Sequence, residues 1–237
     1  EDLSVGVIAQ FGGWIQIENN DFSNVLLGSN LYFSYGEISN NTYDDSTKIY
    51  LAYNDINPIS IADSSTFPQH ASASRFGEFG GISGNVVAHL KNVQDAIDYA
   101  DNMTTINVSS GMFVENIDII GKDVSLIGHG PVNTILGNDF DEREDIIYLD
   151  STNTFIKGLT VSGGIYSINN TNSVFEELLI ESASDSSILF LNSNSTLDHV
   201  TIVGGNVFIE NSSVSILNSI VYSGIMKEKL FIYLRVS

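Results

Sequence analysis

The sequence predicts an all-β chain whose C-terminal two thirds, from about Val86 to about Gly224, is a β-solenoid, and three observations carry that prediction. An apolar triad repeats: Ile156, Leu159 and Val161, then Phe175, Leu178 and Ile180, then Leu197, Val200 and Ile202, then Ile216, Ser219 and Val221. The steps are 19, 22 and 19 residues, and only Ser219 breaks the apolar rule. Further short apolar runs lie between the triads, at Ile165–Ile168, Ile188–Leu191 and Val207–Ile209. Asn marks the corners, at Asn153, Asn172, Asn194 and Asn211, each shortly before a triad. Asn tolerates the left-handed backbone that a sharp corner needs, and Asn side chains stacked in successive coils can bond to one another as a ladder. A period of about 20 residues with these strands and corners describes a stack in which no turn buries its core alone. Leucine-rich repeats share the period, but the chain has no Leu-x-x-Leu-x-Leu-x-x-Asn frame and no room for a helix in each repeat.

The elements follow in order. Residues 1–76 form a β-rich segment with runs at Val5–Ala9, Trp14–Ile17, Leu31–Ser34 and Lys48–Tyr53, separated by turns such as Asn19-Asn20-Asp21 and Ser39-Asn40-Asn41. No fixed period is visible in it. Residues 77–85, with Phe76 before them, read as a Gly-rich junction. The solenoid takes 86–225. It opens with a short helix, in which Asn92 is the expected N-cap with Asp95 in the capping-box position. Val93, Ala96, Ile97 and Ala100 make one apolar stripe at i, i+3, i+4, i+7. A helix this short needs a surface to cover, and the open end of a solenoid is one. Val124–Ile127, Thr134–Leu136 and Ile146–Leu149 are the strands of a less regular coil. Leu126 to Val161 spans 35 residues, so this coil carries an insertion, Gly137 to Glu144. Residues 226–237 hold three of the nine basic residues; they read as a cap strand or as the end of a truncated reading frame. An uncapped last coil would expose a strand edge to self-association.

Charge and composition exclude several partners. With 29 acidic against 9 basic residues and a formal charge of −20, the chain lacks the cations that neutralise nucleic acid phosphates or bind an anionic membrane. No apolar run approaches the ~18 residues of a membrane span. The absence of cysteine removes thiolate metal sites, disulfides and Cys nucleophiles. The balance fits a secreted protein or carboxylates held for Ca²⁺.

Asn92-Val-Gln-Asp-Ala-Ile-Asp98, Thr105-Ile-Asn-Val108, Gly111-Met-Phe-Val-Glu-Asn116 and Gly121-Lys-Asp-Val-Ser-Leu-Ile-Gly128 together resemble the first coils of pectin-lyase-like proteins, most closely the entry segment of pectinesterases. The resemblance covers about 45 residues. It implies a right-handed parallel β-helix, a helical N-terminal cap and a polysaccharide partner outside the cell. The catalytic sets of pectinesterases and galacturonases are not matched. No Gln follows Gln94, Asp139-Phe140 continues as Asp-Glu in the wrong coil, and Gly128-His-Gly130 stands alone without the acids of a galacturonase.

Two places concentrate chemistry. The repeat register lines up Lys157, Glu176 and Asp198 in one outward column, with Glu177, His199 and Asn218 beside it above Gly158. Lys157 is the candidate base of a lyase, and Glu176, Glu177, Asp198 and His199 are candidates for binding an acidic sugar or a metal. The insertion is rich in hard oxygen donors, and Asp139, Asp141, Glu142 and Asp145 are candidate Ca²⁺ ligands. Trp14 and the tyrosines at 32, 35, 43, 50 and 53 are candidates for stacking on sugar rings or for a small β core. His70, His89 and His129 are isolated and read as structural or merely exposed. The expected function is an extracellular carbohydrate-binding or adhesin-like module that does not cut. The alternative is a Ca²⁺-assisted lyase on uronate polymers.

Overall fold

The computed structural model describes residues 5–10, 13–54, 59–61, 67–79, 82–137, 145–182 and 187–222. The chain divides into two compact units, Glu1–Asp101 and Asn102–Ser237. Both are parallel β-solenoids.

Unit 1 is already coiled. The first coil is β1 (Val5–Gln10), β2 (Trp14–Glu18) and β3 (Asp21–Phe22). The second is β4 (Leu27–Tyr32), β5 (Tyr35–Ser39) and β6 (Thr42–Tyr43), and the third holds β7 (Ile49–Asn54) and β8 (Ile59–Ile61). Successive coils pair in parallel: Val5 with Leu27 and Leu27 with Ile49 on one wall, Trp14 with Tyr35 and Gly36 with Ile59 on another, Asp21 with Thr42 on the third. The segment therefore has a period of 21–23 residues that its sequence does not advertise. The rung at 6, 28 and 50 reads Gly, Gly, Tyr, so no apolar residue repeats there. A Cβ on Gly28 would stand 2.8 Å from the Tyr43 ring, and one on Gly6 would stand 2.6 Å from the Phe22 ring. The missing side chains are the space that the aromatic core fills. In that core Phe22 stacks on Tyr43 at 5.1 Å, Tyr43 meets Tyr50 at 4.8 Å, and Phe67 closes against both tyrosines edge-on.

The Gly-rich stretch after the coils is an antiparallel hairpin. Strand β9 (Ala71–Phe79) pairs with β10 (Ile82–Leu90), and β10 also pairs antiparallel with β7. Helix α1 (Val93–Tyr99) packs on β9 and β10, and its stripe of Val93, Ala96, Ile97 and Ala100 is buried as the spacing requires. The expected capping box does not form. Asn92 has the extended backbone of an N-cap but makes no side-chain cap bond, and Asp95 Oδ2 is buried without a hydrogen-bond partner. Only the Asn92 carbonyl serves the helix, accepting from the Ala96 N–H.

Unit 2 stacks three strands per coil. The coils are β11 (Thr104–Val108), β12 (Gly111–Phe113), β13 (Ile117–Ile120); β14 (Val124–Ile127), β15 (Thr134–Gly137), β16 (Asp145–Asp150); β17 (Phe155–Lys157), β18 (Thr160–Ser162), β19 (Gly164–Ile168); β20 (Ser173–Glu176), β21 (Leu179–Glu181), β22 (Ile188–Leu191); β23 (Asn194–Asp198), β24 (Thr201–Val203), β25 (Val207–Glu210); and β26 (Ser213–Leu217), β27 (Ile220–Tyr222). The first, second and third strands of each coil build three parallel walls. Each apolar triad straddles a corner: Ile156 faces inward from one wall, Val161 from the next, and Leu159 sits just past the turn. The inward columns are apolar, mostly aliphatic, and almost fully buried, for example Ile106, Leu126, Ile156, Phe175 and Leu197. Each such residue contributes about 1.5–3 kcal/mol through burial. Leu126 pairs with Ile156, and Leu136 is the residue that pairs with Val161. The coil still carries its insertion, but residues 138–144 lie outside the described residues, as does the tail 226–237.

The corners differ in detail from the sequence reading. Of the four Asn expected there, only Asn211 has a positive φ (50°); the others in its column are Ser151, Asn169 and Asn192 at 51–57°. The residue after each reaches inward and bonds to the neighbouring coil. Asn170 Oδ1 accepts from the Thr152 N–H at 2.8 Å, and its Nδ2 donates to the Leu149 carbonyl at 3.3 Å. The Asn170 N–H donates to Ser193 Oγ, and the Ser193 N–H to Ser212 Oγ. Unit 1 repeats the device: Asn19 and Asn40 have φ of 56° and 51°, the Asn20 N–H donates to Asn41 Oδ1 at 3.0 Å, and Asn41 Nδ2 donates to the Ile17 carbonyl at 2.8 Å.

Candidate functional site

The outward column expected around Lys157 stands in register. Lys157 pairs with Glu176, Glu176 with Asp198 and Asp198 with Leu217. Its neighbour column is a corner. Gly158, Glu177, His199 and Asn218 all have positive φ, at 68°, 52°, 53° and 47°. Glycine takes this conformation freely and Asn readily, whereas a glutamate there is strained by about 1–2 kcal/mol.

The charges resolve into two groups. Lys157 Nζ donates to Glu176 Oε1 at 2.7 Å and lies 3.5 Å from Glu177 Oε1. Asp198 Oδ1 is held by Asn218 Nδ2 at 2.9 Å and lies 2.9 Å from His199 Nδ1. The Glu176 hydrogen bond, with the charges of Glu176 and Glu177 behind it, raises the Lys157 pKa. A lysine acting as a base must shed its proton near the operating pH, and this environment moves it the other way. The column is a charge ladder across coils, the arrangement by which opposite charges support paired strands.

The candidate Ca²⁺ ligands fall mostly outside the described residues. Asp139, Asp141 and Glu142 lie outside the described residues; Asp145 begins β16 opposite Gly164, and its side chain is likewise not described. Among the described residues no three His, Asp or Glu side chains come close enough to share a metal ion.

The six aromatics flagged for sugar stacking separate by burial. Tyr50 is core, and Tyr43 and Tyr53 pack against that core; burial raises the pKa of Tyr43 and pushes Tyr50 up to about 12. The Tyr32 side chain is outside the described residues. Trp14 and Tyr35 are exposed, at 59% and 48%. They face each other across β2 and β5, with ring centroids 6.0 Å apart and planes at 69°. This edge-on contact leaves ring faces open to solvent. The same face carries Gln16 opposite Glu37 and Glu18 opposite Ser39. Gln16 Nε2 and Ser39 Oγ both donate to Glu18 Oε1, at 2.7 and 3.1 Å. The site is thus an aromatic pair beside fixed carboxylate and amide acceptors. A second aromatic column, Tyr148 over Tyr166, has its rings near parallel at 15° and 6.0 Å, so those faces are turned to each other along the stack.

No protein-family model, curated protein or solved structure matches the chain.

Proposed function

We propose that the chain is an extracellular carbohydrate-binding module that holds its ligand without cutting it, and that the Trp14–Tyr35 face is where it binds. The observation that carries this reading is the exposed aromatic pair on adjacent coils, with Gln16, Glu18 and Glu37 around it. Sugar rings present C–H faces to indole and phenol rings and hydroxyl donors to carboxylates and amides; both partners are available on one face. The charge of −20 favours a neutral glycan over a uronate polymer, whose carboxylates would be repelled. The ion pairing of Lys157 supports a structural role for that column in preference to lyase chemistry.

The test is a panel of neutral and acidic polysaccharides with and without Ca²⁺, read by co-sedimentation for binding and by ultraviolet absorbance for unsaturated products. Binding of a neutral glycan that Trp14→Ala weakens at least about tenfold, the loss expected of a central aromatic contact, is the expected result. Ca²⁺-dependent unsaturated product would replace the reading with a lyase.

A further inference from the structure

Outside these sites, unit 1 buries an ionisable group where its neighbours are aromatic. His89 lies in β10, opposite Leu51 of β7 and Ser72 of β9, and is 7% exposed. Its ring stacks on Tyr53 at 5.8 Å and meets Phe67 at 5.7 Å and His70 at 4.8 Å, both at steep angles. Its Nδ1 and Nε2 are both buried without a hydrogen-bond partner. A neutral imidazole carries one N–H and one lone pair, so a donor and an acceptor are both enclosed unmet, a cost that an apolar ring would not incur. Among the described residues the titratable groups around it are His70, whose Nδ1 lies 2.8 Å from the Pro68 carbonyl, and Tyr53; Tyr43 and Tyr50 stand behind Phe67. None of these is a carboxylate, so an imidazolium at this place would face a second imidazole in place of a counter-ion.

We infer that His89, with His70 against it, is a proton-operated latch: as a neutral ring it closes the aromatic nest and holds the β9–β10 hairpin on β7, and its protonation releases the hairpin from the coils of unit 1. The direction follows from the surroundings. Burial first, and His70 second, hold the His89 pKa down to about 3 from 6.5. Once the hairpin opens, the ring takes up a proton at its ordinary pKa. The closed state is therefore fully favoured above 6.5 and loses ground as pH falls from there toward 3. One proton taken up on opening raises the opening equilibrium about tenfold per pH unit inside that window. The two histidines of unit 2 are placed differently: both are exposed, His129 with Nδ1 2.8 Å from the Val108 carbonyl and His199 beside Asp198.

Hydrogen exchange of the full chain, corrected for intrinsic rates, tests this. Between about pH 6.5 and about pH 4.5, protection of β10 amides should fall up to about 100-fold while that of β22 and β23 holds. His89→Phe, which keeps an aromatic ring, should abolish the fall. Equal loss in both units, or the same loss in His89→Phe, overturns the latch. Should that variant fold poorly, the wild-type His89 ring proton followed by NMR decides. A ring that stays neutral while β10 remains protected supports it, and a midpoint near 6.5 with β10 still protected overturns it.

Discussion

Unit 1 and unit 2 close their coils by the same bond and fill them with different matter. In each, a residue of positive φ is followed by an Asn that accepts from one backbone N–H of the neighbouring coil and donates to a carbonyl three residues before that N–H: Asn40-Asn41 in unit 1, Asn169-Asn170 in unit 2. Inside, unit 2 packs mainly aliphatic columns around Phe175 and Phe190, whereas unit 1 packs its aliphatic residues beside an aromatic cluster of Phe22, Tyr43, Tyr50 and Phe67 that His89 joins. The comparison teaches that corner chemistry specifies the coil, and that the filling is then free to carry another property, such as sensitivity to protons.

The comparison can be sharpened in order of expected effect. The largest is the acid response. The depression of His89 from 6.5 to about 3 is worth at most about 5 kcal/mol to unit 1 across the whole window. That stability is present above pH 6.5 and lost below it, and urea denaturation at neutral and acidic pH would read it. Next is the shared bond. Asn170→Ala leaves a buried N–H and a buried carbonyl unmet, and Asn41→Ala a partly buried N–H and a buried carbonyl; each should cost about 1–3 kcal/mol, with exchange-measured loss confined to the mutated unit. A loss in only one of them would break the equivalence of the two units. Smaller still is Glu177→Gly, which relieves the left-handed strain at the corner and should stabilise unit 2 by about 0.5–1 kcal/mol, read as a shift in denaturation midpoint. The smallest is Lys157→Met. The pair with Glu176 is partly exposed, and removing it should leave the denaturation midpoint of unit 2 nearly unchanged; a clear loss would mean that the ladder contributes more than a surface ion pair does.

Much of unit 2 was legible in the sequence because its inward positions repeat in kind: Ile156, Phe175, Leu197 and Ile216 are all large and apolar, and the column of Lys157, Glu176 and Asp198 follows from the same spacing. Unit 1 was not legible as a coil. Its rungs are mixed: Gly6, Gly28 and Tyr50 share one column and Val7, Ser29 and Leu51 another, and these interrupt the apolar columns Val5, Leu27, Ile49 and Ile17, Ile38, Ile61 that do keep the period. A polar signal existed beside those columns. Asn19-Asn20 and Asn40-Asn41 are 21 residues apart, and reading them as one repeated corner would have placed Trp14 over Tyr35. The corner residues of unit 2 were misplaced because an Asn near a turn is easily taken for the Asn in it: Asn153, Asn172 and Asn194 lie past the turn that Ser151, Asn169 and Asn192 make. The two orphan nitrogens of His89 left no mark in the sequence, since burial by residues distant along the chain is a property of the fold.

The paired Asn bond has a consequence for how such a chain can change over generations. Each coil meets the one before and the one after through backbone N–H and carbonyl groups that every coil possesses and through a corner side chain that is Asn at 41 and 170 and Thr or Ser at 152, 193 and 212. A stretch of 19–23 residues duplicated in frame would meet the same N–H and the same carbonyl it left behind. Coil number is thus a heritable variable that can drift by whole steps, while the face presented to a ligand lengthens or shortens with it.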